Sequence, residues 1–278
     1  MSNSEVEGGG GGVGAITFDK NGKVIGYRRL LTGTERNCNG GKTDWGAWIS
    51  CEEDEGQNGK VWQVDPFGER DPVQIALGSN GGRWEAFAHD TRDPDKLYAF
   101  LTEDIDDGAL VRMTIENPDY SNPWDILLES GKVEYLILNP VVVECDGFES
   151  GTFRWTENEA DARTNAANNY PFAEGMKMDG DQLKFVSKES YGIITINLDI
   201  GTYTFEETGF DGQPDQFIIV EQEDGSNMMY LTEEADVVRG TLGTQVGIHT
   251  RNDLGGYTNI ILGDDYSAGK WSYDSPLS

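Results

Sequence analysis

Short apolar runs that close on a pair of acidic or polar residues, followed by a glycine and a second alternating run, recur along the chain. Trp48-Ile49-Ser50-Cys51-Glu52-Glu53 leads to Gly59-Lys60-Val61-Trp62-Gln63-Val64, and Ala99-Phe100-Leu101-Thr102-Glu103-Asp104 leads to Gly108-Ala109-Leu110-Val111-Arg112-Met113. Lys184-Phe185-Val186-Ser187-Lys188-Glu189 leads to Gly192-Ile193-Ile194-Thr195-Ile196, while Met229-Tyr230-Leu231-Thr232-Glu233-Glu234 and Ile260-Ile261-Leu262-Gly263-Asp264-Asp265 follow the same rule. From Glu53 through Asp104, Glu189 and Glu234 to Asp265 the spacings are 51, 85, 45 and 31 residues. The widest gap has room for one degenerate copy, around Tyr135-Leu136-Ile137-Leu138 and Val141-Val142-Val143-Glu144-Cys145. A repeat of roughly 40 to 50 residues with several strands in each is how a β-propeller reads in sequence, because each blade buries its faces only against neighbouring blades. The pattern predicts an all-β, six-bladed β-propeller as a single domain over residues 13–278.

The connectors agree with strands. Asp19-Lys20-Asn21-Gly22, Asp179-Gly180-Asp181 and Glu223-Asp224-Gly225-Ser226-Asn227 carry the Gly, Asn and Asp that supply positive φ in tight hairpins. Only the window from Asn158 to Asn168 permits helix; it lacks an apolar face and reads as a surface loop or one exposed turn. Residues 1–12 read as a flexible glycine-rich leader, and Gly8 to Gly12 is no phosphate loop, since no Lys-Ser or Lys-Thr follows it.

Charge narrows the partners. Fifty Asp and Glu stand against 21 Lys and Arg, a net charge of −29, so a general binder of nucleic acid or anionic membrane is excluded and metal cations are the expected small partners. No run of about 18 apolar residues spans a membrane. The chain reads as soluble and without a targeting segment; the residues after Arg28-Arg29 are too polar for a twin-arginine signal. Three cysteines, Cys38, Cys51 and Cys145, leave at least one unpaired and the compartment open.

Asn37-Cys38-Asn39-Gly40-Gly41-Lys42-Thr43-Asp44-Trp45-Gly46-Ala47-Trp48-Ile49-Ser50-Cys51-Glu52-Glu53 resembles the signature of the PhoX-type alkaline phosphatase family, with Asp44 where the family usually has Pro. Gly82-Arg83-Trp84-Glu85-Ala86, the stretch from Leu97 to Met113, Tyr170-Pro171-Phe172-Ala173-Glu174-Gly175, Pro214-Asp215-Gln216 and the stretch from Met228 to Glu234 resemble further elements of that family in order. The resemblance implies a six-bladed propeller and an exported phosphomonoesterase that uses calcium and iron at one mouth of the channel. It makes Cys38 the thiolate ligand of iron and Glu53, Glu85, Glu174 and Asp215 carboxylate ligands of iron or calcium. Hard carboxylate oxygens suit Ca²⁺, a thiolate adds a softer donor for iron, and the bound metals let a phosphate ester approach an acidic surface.

Two departures matter. Phe172 stands where the family has the arginine that holds the phosphate, and Trp84 where it has histidine. A phenyl ring cannot supply the bidentate donation of a guanidinium, so Arg83, Arg154 or Arg163 would have to replace it, and weak activity is the expectation. Cys51 and Cys145 read as core. Glu103, Asp104, Glu189, Asp264 and Asp265 read as solvated turn residues, and His89 and His249 stand in no zinc-like spacing. The tryptophans, among them Trp45, Trp48, Trp62 and Trp84, read as blade packing. Two functions stay open: a metal-dependent phosphatase-like hydrolase, and a catalytically silent propeller that acts as a self-assembling structural or protein-binding module.

Overall fold

The computed structural model describes residues 1–143, 148–210, 212–222, 225–234, 247–251 and 257–262. Strands β1 (Ser2–Ser4), β2 (Gly11–Phe18) and β3 (Val24–Thr34) form an antiparallel sheet in that order. The first blade is β4 (Asn37–Lys42), β5 (Trp48–Glu52), β6 (Val61–Val64) and β7 (Val73–Gln74). The second is β8 (Trp84–Asp90), β9 (Lys96–Glu103), β10 (Val111–Glu116) and β11 (Lys132–Val143), with the short helix α1 (Pro123–Ile126) before its last strand. After β12 (Phe148–Thr156) and helix α2 (Glu159–Asn169) comes the third blade, β13 (Ala173–Asp179), β14 (Gln182–Ser187), β15 (Gly192–Asn197) and β16 (Thr202–Glu207). The fourth is β17 (Gln213–Glu221), β18 (Asn227–Glu234), β19 (Gly247–Arg251) and β20 (Tyr257–Leu262). The all-β propeller is thus the architecture found, with four four-stranded blades and one three-stranded sheet among the described residues. The first strands of the four blades meet in succession, β4 against β8, β8 against β13 and β13 against β17.

Strand β9 shows why the repeated runs are apolar throughout instead of strictly alternating. Leu97, Ala99 and Leu101 face one side and pack with Ile49, Cys51 and Val61 of the first blade. Phe100 faces the other side, in a cluster with Phe185, Ile194 and Tyr203 of the third blade. A middle strand buried on both faces loses the polar half of the period-two pattern.

Strand order changes the assignment of two repeat copies. The stretch Ile260 to Leu262 lies on β20, the fourth strand of the blade that already holds Met229 to Glu234 on β18, so it does not head a blade of its own. The copy inferred near Tyr135 falls on β11, the outermost strand of the second blade. The gap of 85 residues has another cause: β11 and β12 make a long hairpin, and α2 follows it before the third blade begins. Strand β12 then pairs with β16, which fuses the second and third blades into one nine-stranded sheet. Cys145, Asp264 and Asp265 lie outside the described residues.

The helix-permissive window is a helix of three turns rather than a loop. Asn158 caps it by accepting from Asp161 N at 3.4 Å, Ala162 and Ala166 are buried one turn apart, and Arg163 pairs with Glu159 at 2.8 Å. The buried face is made of two alanines, too small to stand out as an apolar stripe in the sequence. Asn165 completes the docking: its amide accepts from Leu138 N at 2.8 Å and donates to Leu138 O at 2.9 Å, as a neighbouring strand would. The glycine-rich leader is likewise part of the sheet. Strand β1 pairs with β2, and Asn3 donates to the carbonyls of Cys38 and Asn39 at 3.1 and 2.9 Å.

Because Phe185 is fully buried between blades, Phe185→Ala is expected to lower unfolding stability by about 3 to 5 kcal/mol. Phe67→Ala, at a side chain that is 72% exposed, is expected to change it by under about 0.5 kcal/mol. Urea unfolding of both variants checks the contrast.

Candidate metal centre

In every one of the four blades the pairing between the innermost strand and its neighbour slips near the start. The shifts fall between Asn37 and Gly40, between Trp84 and Phe87, between Ala173 and Met176, and between Pro214 and Phe217. The residues inside them are Cys38-Asn39, Glu85-Ala86, Glu174-Gly175 and Asp215-Gln216. A bulge leaves a residue out of the ladder and re-aims its side chain, and bulges gather at rims and active sites. Four of the five candidates from the sequence therefore occupy one structural position, repeated once per blade.

The same register defines a second tier. Just before each bulge, Asn37 pairs with Glu52, Trp84 with Glu103, Ala173 with Ser187 and Pro214 with Glu233. One residue further along come Glu53, Asp104, Lys188 and Glu234. The amides of Glu53, Asp104 and Lys188 donate to the carbonyls of Arg36, Arg83 and Phe172 at 3.0, 2.9 and 2.9 Å. Arg36, Arg83 and Phe172 are thus blade-equivalent, so the position left without a guanidinium in the third blade carries one in the first and the second.

Threonine hydroxyls take up amides that the bulges free. Thr102 Oγ1 accepts from Ala86 N at 3.0 Å and donates to Glu174 O at 2.7 Å, tying β8 to β13; Thr232 Oγ1 accepts from Gln216 N at 2.9 Å. Gly175 permits the third bulge to approach the fourth, since a Cβ there would lie 2.9 Å from Gln216 Cα and 3.0 Å from Asp215 O.

Glu85, Glu174 and Asp215 bring carboxylate oxygens to within 4.8 Å of one another, and Cys38 Sγ forms a second group of that size with Glu5 and Glu53. Cys38 and Glu85 interact electrostatically, which links the two groups, as do Glu174 and Asp215. All five sequence candidates therefore converge, with Glu5 and Asp104 joining them. Asp104, expected as a solvated turn residue, is buried, as is Glu103; Asp104 lies beside Arg83 and Lys188. Glu189 is exposed, and Glu103 is held at 3.0 Å by Arg163.

Three cations answer these acids. Arg36 reaches Glu53 at 3.0 Å and Glu5 at 3.2 Å. Arg83 pairs with Glu53 and lies 3.5 Å from Asp104. Lys188 pairs with Glu174 and lies 3.4 Å from Glu234 and 3.6 Å from Asp104. Of the three arginines considered from the sequence, only Arg83 is at the mouth; Arg163 serves Glu103 and Glu159, and Arg154 is exposed on β12. Asp104, Arg36 and Lys188 were hidden because their meaning lies in blade register, which appears only once the strands are paired.

The acids remain undercompensated. Burial, and then the charge of Asp215, holds the Glu85 carboxyl well above the ordinary carboxylate range; burial followed by Glu85 does the same to Glu174. Asp215 is pushed up to about 6 by burial and by Glu234. Burial raises the Cys38 thiol, and Glu85 raises it further. One Asp104 oxygen, Oδ1, is buried without any hydrogen-bond partner. Clustered carboxyls short of positive charge, an orphaned buried oxygen and one thiol fit a divalent cation better than they fit one another.

Residues 21–103 match the family model described as Alkaline phosphatase PhoX. In fold the chain is similar to Pseudomonas fluorescens PhoX in complex with vanadate, a transition state analogue, with a TM-score of 0.61, 15% identity, and coverage of 88% of this chain and 62% of that one. The chain thus spans under two thirds of the length of that structure. A candidate 6-phosphogluconolactonase of Bacteroides uniformis gives a TM-score of 0.45 at 16% identity, over 95% of this chain and 82% of that one. No curated protein matches the chain. Among the described residues no helix is long and apolar enough to cross a membrane.

Raised carboxyl pKa values have a definite sign in stability. The folded metal-free protein binds these protons more tightly than the unfolded chain does. Their contribution is complete below the unfolded carboxylate values and is lost as pH rises through the folded ones, about 6 for Asp215. In chelator the melting temperature is therefore expected to fall between about pH 5 and about pH 7, less steeply in Asp215→Asn, and excess Ca²⁺ is expected to flatten the decline. Thermal scans across pH, with and without chelator, measure this.

Proposed function

We propose that the chain is a PhoX-type family member, as its match over residues 21–103 and its fold support, and that it is a metal-dependent phosphomonoesterase using calcium and iron. The observation that carries this reading is the convergence of Cys38, Glu85, Glu174 and Asp215, one bulge residue from each of four blades, beside Glu53. Calcium would be held by Glu53, Glu85, Glu174, Asp215 and Asp104 through oxygen, and iron by Cys38 together with neighbouring carboxylates. When bound, such ions polarise a phosphate oxygen and offset the surrounding negative charge.

The chain's own residues do the rest. Glu85 and Glu174 are almost fully buried, so a substrate phosphate meets the site from the rim, where Arg36, Arg83 and Lys188 retain side-chain exposures of 19%, 22% and 17%. Arg36 and Arg83 occupy the position equivalent to Phe172, and so offer guanidinium donors from two blades in place of the one missing from the third. Anchoring the equatorial oxygens of a phosphate with such forks orients the ester and stabilises charge as it develops. Arg83 is also tied to Glu53 and Asp104, so full donation to phosphate requires those acids to be engaged by metal.

Elemental analysis after gentle purification is expected to return calcium and iron. The metal-replete protein is expected to hydrolyse an activated aryl phosphate slowly, with Cys38→Ala and Glu174→Gln each lowering kcat/KM by about a hundredfold or more. Finding neither metal, and no stabilisation by added Ca²⁺, withdraws the proposal.

A further inference from the structure

The second tier of the mouth breaks its own rule once. Glu53, Asp104 and Glu234 hold the same register position in the first, second and fourth blades, and the third blade puts Lys188 there. Its ammonium pairs with Glu174 of the first tier and lies within 3.6 Å of Asp104 and 3.4 Å of Glu234, its two neighbours within the second. A cation in contact with three carboxylates from three blades occupies the kind of place that a coordinated ion would take. We propose that Lys188 is a tethered counter-ion that fills one cation position of this mouth, so that the chain holds fewer divalent ions than its ring of carboxylates would otherwise bind. This rests on the reading that the mouth binds divalent metal.

Charge and burial support it. Glu5, Glu53, Glu85, Asp104, Glu174, Asp215 and Glu234 face Arg36, Arg83 and Lys188, leaving the acids four in excess. That excess calls for divalent cations, but for fewer than a tier of four acids would. The side chains of Glu174 and Asp104 are 2% and 10% exposed, so water cannot stand in for a missing partner. Lysine suits the task because its ammonium is a compact point charge on a flexible stem, able to settle between three oxygens, whereas a planar guanidinium presents its donors in a fixed fork. Asp104 Oδ1, buried and unpaired, marks the direction in which this compensation is incomplete and where a metal would still be drawn.

The test is calcium binding to the full-length, chelator-stripped chain by titration calorimetry, comparing wild type with Lys188→Gln, Lys188→Glu and Lys188→Arg. Lys188→Gln is expected to tighten calcium binding about tenfold or more, since removing a positive charge among carboxylates at such distances is worth over a kcal/mol. Lys188→Glu is expected to add at least one calcium equivalent, and Lys188→Arg to keep the wild-type stoichiometry. Both charge-removing variants should melt below wild type in chelator and recover more than wild type on adding Ca²⁺, which separates lost folding from altered binding. Unchanged stoichiometry and unchanged or weaker affinity in Lys188→Gln and Lys188→Glu would overturn the proposal, even with wild type binding calcium and acting as a phosphatase. A wild type that binds no calcium beside a Lys188→Glu variant that does would uphold it and remove the metal-enzyme reading. No binding in any variant overturns both.

Discussion

A carboxylate can be kept from water only opposite a positive charge, and the mouth of this propeller gathers more of the former than the latter. Everything around it answers to that imbalance. Arg36, Arg83 and Lys188 are drawn into contact with acids from two or three elements each, and the Glu85 carboxyl, which pairs with none of them, is held well above the normal carboxylate range by burial and the charge of Asp215. Strain of this kind is uneconomical for a protein whose only task is to fold, because replacing buried ionic groups with well-packed apolar ones is commonly neutral or stabilising. Its presence at one rim of an otherwise apolar barrel of blades is the physical reason for reading that rim as functional.

The backbone supplies the geometry and the side chains inherit it. Each inner strand begins with one or two paired residues, loses register, and regains it after two unpaired ones, so the side chain released by the slip lies at an equivalent position in each blade. Repetition turns four unremarkable local irregularities into a ring. Thr102 and Thr232 make the irregularities affordable by accepting from amides that would otherwise be stranded. Variation at equivalent positions then sets chemistry: sulfur in the first blade against oxygen in the other three, guanidinium in two blades against phenyl in a third.

How much of this the sequence disclosed depended on whether a property was local. The strands, the turns at Asp19-Lys20-Asn21-Gly22 and Asp179-Gly180-Asp181, and the burial of Cys51 follow from neighbours in the chain, and the structure has them. The acidic pairs were visible, but which member pointed inwards was not. Glu52 is consumed by the amides of Glu35 and Lys60 at 3.0 and 2.7 Å, whereas Glu53 faces the site. Choosing between them requires the strand register. The third copy shows the cost: counting to the last acid selects Glu189, which is exposed, while Lys188 is the residue that the pairing of Ala173 with Ser187 sets beside Glu53 and Asp104. The buried pair of Glu233 and His249, 2.6 Å apart on adjacent strands, was equally invisible, since residues 16 apart share no helical or strand period.

The nine-stranded sheet places the two glutamates of the triad at its opposite ends. Running from β13 through β16, β12 and β11 to β8, it curves until its first and last strands meet across the channel, where Thr102 and the Glu174 carbonyl close the circuit. Two blades joined in this way cannot open separately: loosening one pulls on the shared β11 and β12 hairpin and so on the other. The first and second blades share no such strand; they are tied by the Glu53–Arg83 bridge and by the amides of Gly59 and Ala76 donating to the carbonyls of Gly82 and Leu127, a smaller set of bonds that can loosen more independently. The distance between Glu85 and Glu174 is therefore held by the least yielding part of the fold, while Asp215 and Cys38 are carried by separate sheets. Adaptation to ions of different radius would fall to those two, with the paired glutamates acting as the fixed jaw of a vice.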